Sequence, residues 1–438
     1  MDRWLVALAG TVLMACLGAV YSWSLFTQPL VVAFGWSSTT TTWAFAACIF
    51  FLGVGAIVGG RWQDRAGPRP AAVAGAILWG LGNVLAGWGT ARLGAPWLYA
   101  TYGVVGGLGL GLAYVTPVAA VTKWFPDRRG LGSGVVVMGF GLGAFVYNNA
   151  LQAWPSFAGA AREAAAAAAA GAGARLSAAS LHALERTFVV SGLFFAVVGG
   201  LCAALVRDPP AVAPVAGAAP PPPDLAAREL PPAQALRTPQ FWALWLMLFL
   251  NVTAGILFIS NAVPIMRELT GAPAATAVAV YGFIALFNGL GRFFWGAVSD
   301  RLGRNLAYLL IYGVQVAVFL AVGAASSLWL VAALFAVVLL CYGGGFGTMP
   351  SFVADWFGTR SMGVNYGWIL LAWGVGGIAG PIFVAATKDA TGNFTGALPV
   401  IALVLLGAMA LPIVARRPGS ARAAGRWAHL DPRRRHTR

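Results

Sequence analysis

Charge is what this sequence has least of. Of its 438 residues only 9% are Asp, Glu, Lys or Arg, against 59% hydrophobic, and the mean hydropathy is +0.78. A soluble domain carries roughly 25% charged residues, because its surface must be wet. The shortage excludes a water-soluble chain and leaves lipid as the solvent. Histidine and cysteine are scarce as well. His182, His429 and His436 lie in a loop and the tail, and Cys16, Cys48, Cys202 and Cys341 lie inside apolar runs with no CxxC pair and no metal-ligand spacing. That speaks against a disulfide framework and a metal site, and leaves the thiols as small core residues. No nucleophile–base pair stands out, so neither an enzyme nor a cofactor is indicated. The run GVVGGLGLG, Gly103 to Gly111, has dinucleotide-like spacing but no βαβ pattern after it. Close helix packing is its expected use.

The most informative absence concerns acids. Asp64, Asp127, Asp300 and Asp355 fall at inner helix ends, the remaining Asp and Glu fall in loops or termini, and no carboxylate falls in the middle of an apolar run. Embedded Asp, Glu or His residues are the usual proton carriers of pumps and transporters. Exchange, or movement down a gradient, therefore fits better than dedicated proton symport.

What is present is a series of apolar stretches at roughly 5–33, 41–60, 71–90, 97–122, 131–154, 187–206, 240–266, 274–298, 306–326, 328–353, 362–386 and 395–415. Each is about the 20 residues that a membrane-spanning helix needs. The first run is too long for a signal-peptide core and has no cleavage site, so it is read as a retained span. The reading is all-α, with twelve transmembrane helices in two six-helix halves, 1–206 and 239–415. A Pro-rich linker occupies 207–238 and a basic tail 416–438. Four consecutive prolines, Pro220 to Pro223, exclude helix in the linker. Thr238-Pro239 reads as an N-cap and first helical residue of the seventh span. The Ala-rich stretch AREAAAAAAAGAGARLSAASLHALER, between the fifth and sixth spans, reads as an insertion with a surface helix.

Much of the net charge of +15 sits in the last 23 residues, RRPGSARAAGRWAHLDPRRRHTR. A solvated tail that touches anionic lipid explains it without nucleic acid. With the N-terminus inside, inner loops hold Arg61, Arg65, Arg69, Lys123, Arg128, Arg129, Arg207, Arg301 and Arg304 among others. Outer loops hold only Arg92, Arg162, Arg175, Arg186, Arg267 and Lys388. This positive-inside bias places both termini in the cytoplasm and the chain in a bacterial-type inner membrane.

An internal repeat is visible. GRWQDRAGPR, Gly60 to Arg69, matches GAVSDRLGR, Gly296 to Arg304, and KWFPDRRGLGSG, Lys123 to Gly134, echoes DWFGTRSMGVNYG, Asp355 to Gly367. Paired six-helix repeats are a transporter architecture. The G-x-x-x-D-R-x-G loop after the second span, repeated after the eighth, resembles the major facilitator superfamily. YSWSLFTQP, KWFPDRRGLGSG, LRTPQFW, NGLGRFFWG with SDRLGR, and VNYGW are similar to its oxalate/formate antiporter family, a relative of the monocarboxylate transporters. The resemblance implies alternating access by rocking of the halves. The two loop motifs, Gly60, Asp64, Arg65 and Gly67 with Gly296, Asp300, Arg301 and Gly303, read as a charged clasp that holds one conformation and breaks in the other, or as tight cytoplasmic turns with topology-setting arginines.

One residue stands apart. Arg292 lies in LFNGLGRFFWG, eight residues, or about 12 Å of helix, before Asp300. A guanidinium keeps its charge in proteins, and placing one in hydrocarbon is costly. A snorkelling arginine is one reading. The other is an anion site with Asn288, one turn earlier, as a second donor. The resemblance supports the latter, since the matching arginine of that family binds a substrate carboxylate, which suits a bidentate fork. The resemblance also places Tyr21, Tyr114, Tyr342, Phe346 and Trp373 at the pocket, and Trp23 in a cavity-lining span. In oxalate-carrying members the eleventh span holds a second cation, a lysine eight residues after the Asn of NYG; here that position is Trp373. Two cations suit a compact dianion, and one suits a monoanion. The expectation is a monomeric transporter of a small monocarboxylate of the lactate, pyruvate or formate type, with lipid as its other partner. A dicarboxylate exchanger is the rival inside the class, and a ligand-binding membrane receptor the rival outside it.

Overall fold

The computed structural model describes residues 2–171, 175–210, 229–391, 395–416 and 418; the proline run of the linker and nearly all of the basic tail lie outside them. Among the described residues there is no strand, and ten helical segments are long and apolar enough to cross a membrane. One of them, Pro68–Trp124, breaks at Gly94, whose φ of 75° no other residue type adopts easily, so it makes two passes. The shorter pair Ala397–Ala408 and Ala410–Val414 makes the last. The passes are therefore twelve.

In order, the first half holds Arg3–Phe34 (span 1), Ser38–Ala66 (span 2), the two passes of Pro68–Trp124 (spans 3 and 4), Arg129–Ala153 (span 5) and Ala178–Leu205 (span 6). The second half holds Pro239–Thr270 (span 7) and Ala274–Ile284 with Leu286–Leu302 (span 8). Arg304–Ala321 (span 9), Leu328–Phe357 (span 10), Met362–Thr391 (span 11) and the last pair (span 12) complete it. The Ala-rich stretch begins inside a helix, Pro155–Ala170, started by proline at its first position and carried by the best helix former; its end, from Ala178, belongs to the helix of span 6, and residues 172–174 lie outside the described residues. Thr238 Oγ1 accepts from Phe241 N at 3.2 Å and starts span 7.

Both loop motifs lie at one end of the bundle, called here the motif end. The first residues reach it too, where Arg3 Nη1 bonds Asp127 Oδ1 at 3.0 Å. The end of span 12 also reaches it, where Asn305 Nδ2 donates to Ala415 O at 2.9 Å. Exposed tryptophans ring the bundle at two levels. Trp4, Trp62 and Trp242 sit near the motif end, and Trp43, Trp88 and Trp329 near the far end. Two such belts mark the water interfaces of a membrane protein.

The halves meet mainly along span 2 against span 11 and span 5 against span 8. Both seams are backbone on backbone. A Cβ added to Gly60 would lie 2.1 Å from Gly363 O, and one added to Gly296 would lie 2.5 Å from Gly130 O. Lipid supplies no hydrophobic drive for helix association, so small residues that admit close approach take its place. The glycines of Gly103 to Gly111 serve the same purpose inside the first half, with Gly107 against Cys48 and Gly111 against Leu52.

Candidate substrate site and gating clasps

Arg292 is 0% exposed, one of the largest fully buried side chains in the protein. It does not reach an interface, so it is not a snorkelling arginine. Its bonds are long. Nε donates to Asn288 Oδ1 at 3.4 Å and Nη1 to the Val137 carbonyl at 3.5 Å, while buried Nη2 has no hydrogen-bond partner. Among the described residues no carboxylate pairs with it. Its Cζ lies 4.8 Å from the Phe346 ring centroid and 5.2 Å from that of Phe140, so two aromatic faces carry part of the charge. Asn288 thus presents its oxygen to the arginine and orients it.

Around this cation stand the aromatics that the sequence singles out. Trp373 is central, with ring centroids 4.8 Å from Phe346, 5.5 Å from Tyr114 and 6.0 Å from Tyr21. Tyr21 Oη and Tyr342 Oη are 3.5 Å apart and join span 1 to span 10 across the halves. Tyr342 and Phe346 pack edge to face at 5.5 Å, one turn apart. The Tyr21 hydroxyl lies toward Arg292, Tyr342 and Trp373 as hydrogen-bonding neighbours, and the Tyr114 hydroxyl toward Arg292 and Tyr366, with only the Tyr21–Tyr342 contact as short as 3.5 Å. Trp23 turns away; it packs on Tyr102 at 4.5 Å, and its Nε1 donates to Thr41 O.

Four buried polar atoms in this cluster lack a partner: Arg292 Nη2, Tyr114 Oη, Trp373 Nε1 and Tyr366 Oη. A buried unsatisfied donor costs about 1–3 kcal/mol, more when charged. The arrangement gathers hydrogen-bond donors and one positive charge in an apolar shell, which is what an anion with acceptor oxygens requires.

Two residues of the cluster escaped the sequence reading. Phe140 touches Arg292, Tyr21, Tyr114 and Trp373, and Tyr366 sits by Tyr114 with its own hydroxyl unpaired. Phe140 belongs to GVVVMGFGLGAF, where small residues all round give no periodicity to name the inner face. Tyr366 was visible as the Tyr of VNYGW, but nothing in the string aims it inward.

At the motif end the two aspartates make matching crosswise bonds. Asp64 accepts from Gly363 N at 3.0 Å and Val364 N at 2.9 Å, at the start of span 11. Asp300 accepts from Gly130 N and Leu131 N, both at 2.8 Å, at the start of span 5. Each half therefore caps a helix of the other, with a carboxylate on a helix N-terminus where the dipole favours it. The glycine one turn before each aspartate lets the capped helix come close enough. Gly67 and Gly303, at φ of 79° and 83°, make the turn that follows. Arg65 and Arg301 are exposed and have no bond in this closure. Arg304 acts instead, joining Asp300 at 2.8 Å and Asp355 at 2.9 Å, and Arg129 reaches Asp355 across the halves at 2.8 Å. Between clasp and site, Ser133 Oγ bonds Ser351 Oγ at 2.9 Å and Gly347 O at 3.0 Å. The motif end is thus sealed.

The chain resembles proteins of known kind along most of its length. Residues 8–381 match the Major Facilitator Superfamily. The oxalate:formate antiporter of Oxalobacter formigenes is 29% identical over 376 residues, 85% of this chain and 81% of that one. Apicoplast pyruvate carrier 1 of Toxoplasma gondii is 28% identical over 367 residues, 75% of this chain and 66% of that one. In structure, the fucose:proton symporter of E. coli superposes with a TM-score of 0.68 at 15% identity, covering 95% of this chain and 100% of that one, a likeness of fold alone. The family match, the repeated loop motif and the twelve-pass bundle agree, and the chain belongs to the major facilitator superfamily.

Proposed function

We propose that the protein is a secondary transporter of a small monocarboxylate, with Arg292 as the carboxylate anchor. The observation that carries this reading is a buried guanidinium with no carboxylate partner among the described residues and an Nη2 that makes no hydrogen bond, in a cluster with the unpaired Tyr114 Oη and Trp373 Nε1. Asn288 orients the arginine, while Tyr21, Tyr114, Tyr342, Phe346 and Trp373, with Phe140, enclose the rest of the substrate. The relatives named as an oxalate:formate antiporter and a pyruvate carrier support a small organic anion. The sealed motif end faces the cytoplasm, by the excess of Arg and Lys there, and the membrane is an inner membrane of bacterial type. The halves are 1–206 and 239–415, joined by the linker 207–238, and the tail is 416–438. The clasps of Asp64 and Asp300 break as the halves rock, opening the motif end.

Charge counting sets the selectivity. One cation leaves a bound monocarboxylate near neutral and leaves oxalate with an extra negative charge. A discounted cost of about 2–3 kcal/mol for that charge means roughly 30–150-fold weaker binding. The test is counterflow in proteoliposomes with labelled monocarboxylate, and competition by unlabelled acids. Lactate- or pyruvate-sized acids should compete far better than oxalate, and Trp373→Lys should narrow the gap. A tenfold preference for oxalate in the wild type would replace this reading with the dicarboxylate exchanger. Binding without counterflow would replace it with a receptor.

A further inference from the structure

The unpaired donors differ in kind. Arg292 Nη2 carries charge; Trp373 Nε1 is neutral and can only donate. Both side chains are 0% exposed. They share the same two neighbours, since Phe346 and Phe140 lie 4.8 and 5.2 Å from the guanidinium carbon and 4.8 and 5.4 Å from the indole centroid. A charged donor and a neutral donor therefore lie against the same two phenylalanine rings. A ligand that satisfies both presents an anionic group to the first and an uncharged acceptor close by to the second.

We propose that the Trp373 indole N–H hydrogen-bonds the 2-oxo oxygen of a 2-oxo monocarboxylate whose carboxylate is held by Arg292, so that 2-oxo acids are preferred over 2-hydroxy and unsubstituted acids of the same skeleton. This rests on the monocarboxylate reading above. A 2-oxo oxygen is acceptor only and matches a donor-only group. A 2-hydroxyl brings its own proton, which needs an acceptor. Tyr21 and Tyr342 hydroxyls face one another at 3.5 Å, so the unpaired Tyr114 hydroxyl is left to accept it, and is then lost as a donor to the carboxylate. An unsubstituted acid leaves the indole N–H buried and unpaired, which is the costlier half of a hydrogen bond to lose.

The experiment is counterflow of labelled pyruvate in proteoliposomes of the full-length protein, with pyruvate, D- and L-lactate and propionate as competitors. Pyruvate should reach half-inhibition at a concentration lower than lactate or propionate by about three- to tenfold, the range that one net hydrogen bond supplies. Trp373→Phe keeps an aromatic ring and removes the N–H; it should bring the acids to within about twofold of each other, mainly by weakening pyruvate. Lactate or propionate equal to pyruvate in the wild type overturns the proposal, and so does an unchanged preference in Trp373→Phe. If that variant fails to reach the membrane, the wild-type ranking decides alone. Absence of counterflow with every monocarboxylate, formate and acetate included, overturns the transport reading and this inference with it. Exchange without 2-oxo preference overturns only the inference.

Discussion

Laid over one another by their loop motifs, the two halves pair Asp64 with Asp300 and Gly60 with Gly296. The same pairing sets Ala56 opposite Arg292, Leu52 opposite Asn288 and Pro68 opposite Arg304. In the second pair of motifs Lys123 stands opposite Asp355. The backbone docking has been kept in both halves, glycine against glycine and carboxylate on helix N-terminus. The charge has not. The second half holds the buried cation and three members of an ion network, Asp300, Arg304 and Asp355, while the first contributes rings (Tyr21, Tyr114, Phe140), a clasp of one carboxylate and the fourth member, Arg129. On the proposed reading, the site between the halves needs only one cation because the substrate supplies the other charge.

Removing that cation should break the comparison most severely. Arg292→Ala makes the two halves alike at this level, both without charge, and leaves the substrate carboxylate buried and unpaired. Loss of one member of a buried pair costs about 3–5 kcal/mol, so exchange should fall on the order of 10²–10³-fold with the protein still in the membrane. Arg292→Lys keeps charge without the fork and should lose about tenfold or more. Uptake and surface labelling measure both. Wild-type rates in Arg292→Ala would remove Arg292 from the site.

The clasps should respond unequally. Asp300→Asn gives up two bonds to helix N–H groups and the pair with Arg304, whose side chain is 11% exposed. At about 2–3 kcal/mol for these charge-assisted bonds, the closed motif end should lose about 30–150-fold in population. Asp64→Asn gives up only the helix N–H bonds and should shift the balance by about tenfold. Accessibility of single cysteines from the two membrane sides reports the shift, with turnover falling more than apparent affinity. Equal shifts would show that the ion network adds nothing to the cap.

Arg304→Ala sharpens the same point. It converts the second clasp into a copy of the first, since Pro68 holds that place in the first half. By itself it should open the motif end by less than Asp300→Asn does. In its background, Asp300→Asn should cost only about what Asp64→Asn costs. The double-mutant cycle isolates the ion pair, and additivity within a few tenths of a kcal/mol would mean the pair is not coupled.

How far the sequence foretold this follows from where its residues break pattern. A charge in an apolar run is conspicuous, so Arg292 and the absence of an embedded acid could be read directly. The repeat gave both aspartates and both glycines, because each occurs twice at one spacing. In the sequence Arg304 is one of many topology-setting charges, and nothing in the string marks it as a member of the clasp. An arginine's partner depends on which helix faces it, and Asp355 lies 51 positions away. Phe140 and the bond between Ser133 and Ser351 were invisible for a different reason. In spans 4, 5 and 10 both faces are apolar or small, so no polar stripe marks what faces inward.

The smallest effect belongs to a feature that only the first half has been found to carry, the Ala-rich helix between spans 5 and 6. Its Glu163 carboxylate accepts from Ser177 N and Ser177 Oγ, the latter at 2.9 Å, and from Ser180 Oγ, tying the insertion to the start of span 6. These bonds favour the ionised form and lower the Glu163 pKa, with Ser180 the largest cause. A carboxyl whose folded pKa is depressed contributes stability above its unfolded value, and that contribution is lost as pH falls through the folded pKa. At neutral pH the tether is therefore complete, and acidification below the ordinary glutamate range should release it. Hydrogen exchange of the amides of 155–171 should speed up on acidification beyond the intrinsic change. Glu163→Gln should abolish that acid-dependent step and leave neutral-pH counterflow at the wild-type rate. The insertion would then be a local brace on span 6. A loss of transport in Glu163→Gln would make it part of the moving machinery and give the first half a functional element without counterpart in the second.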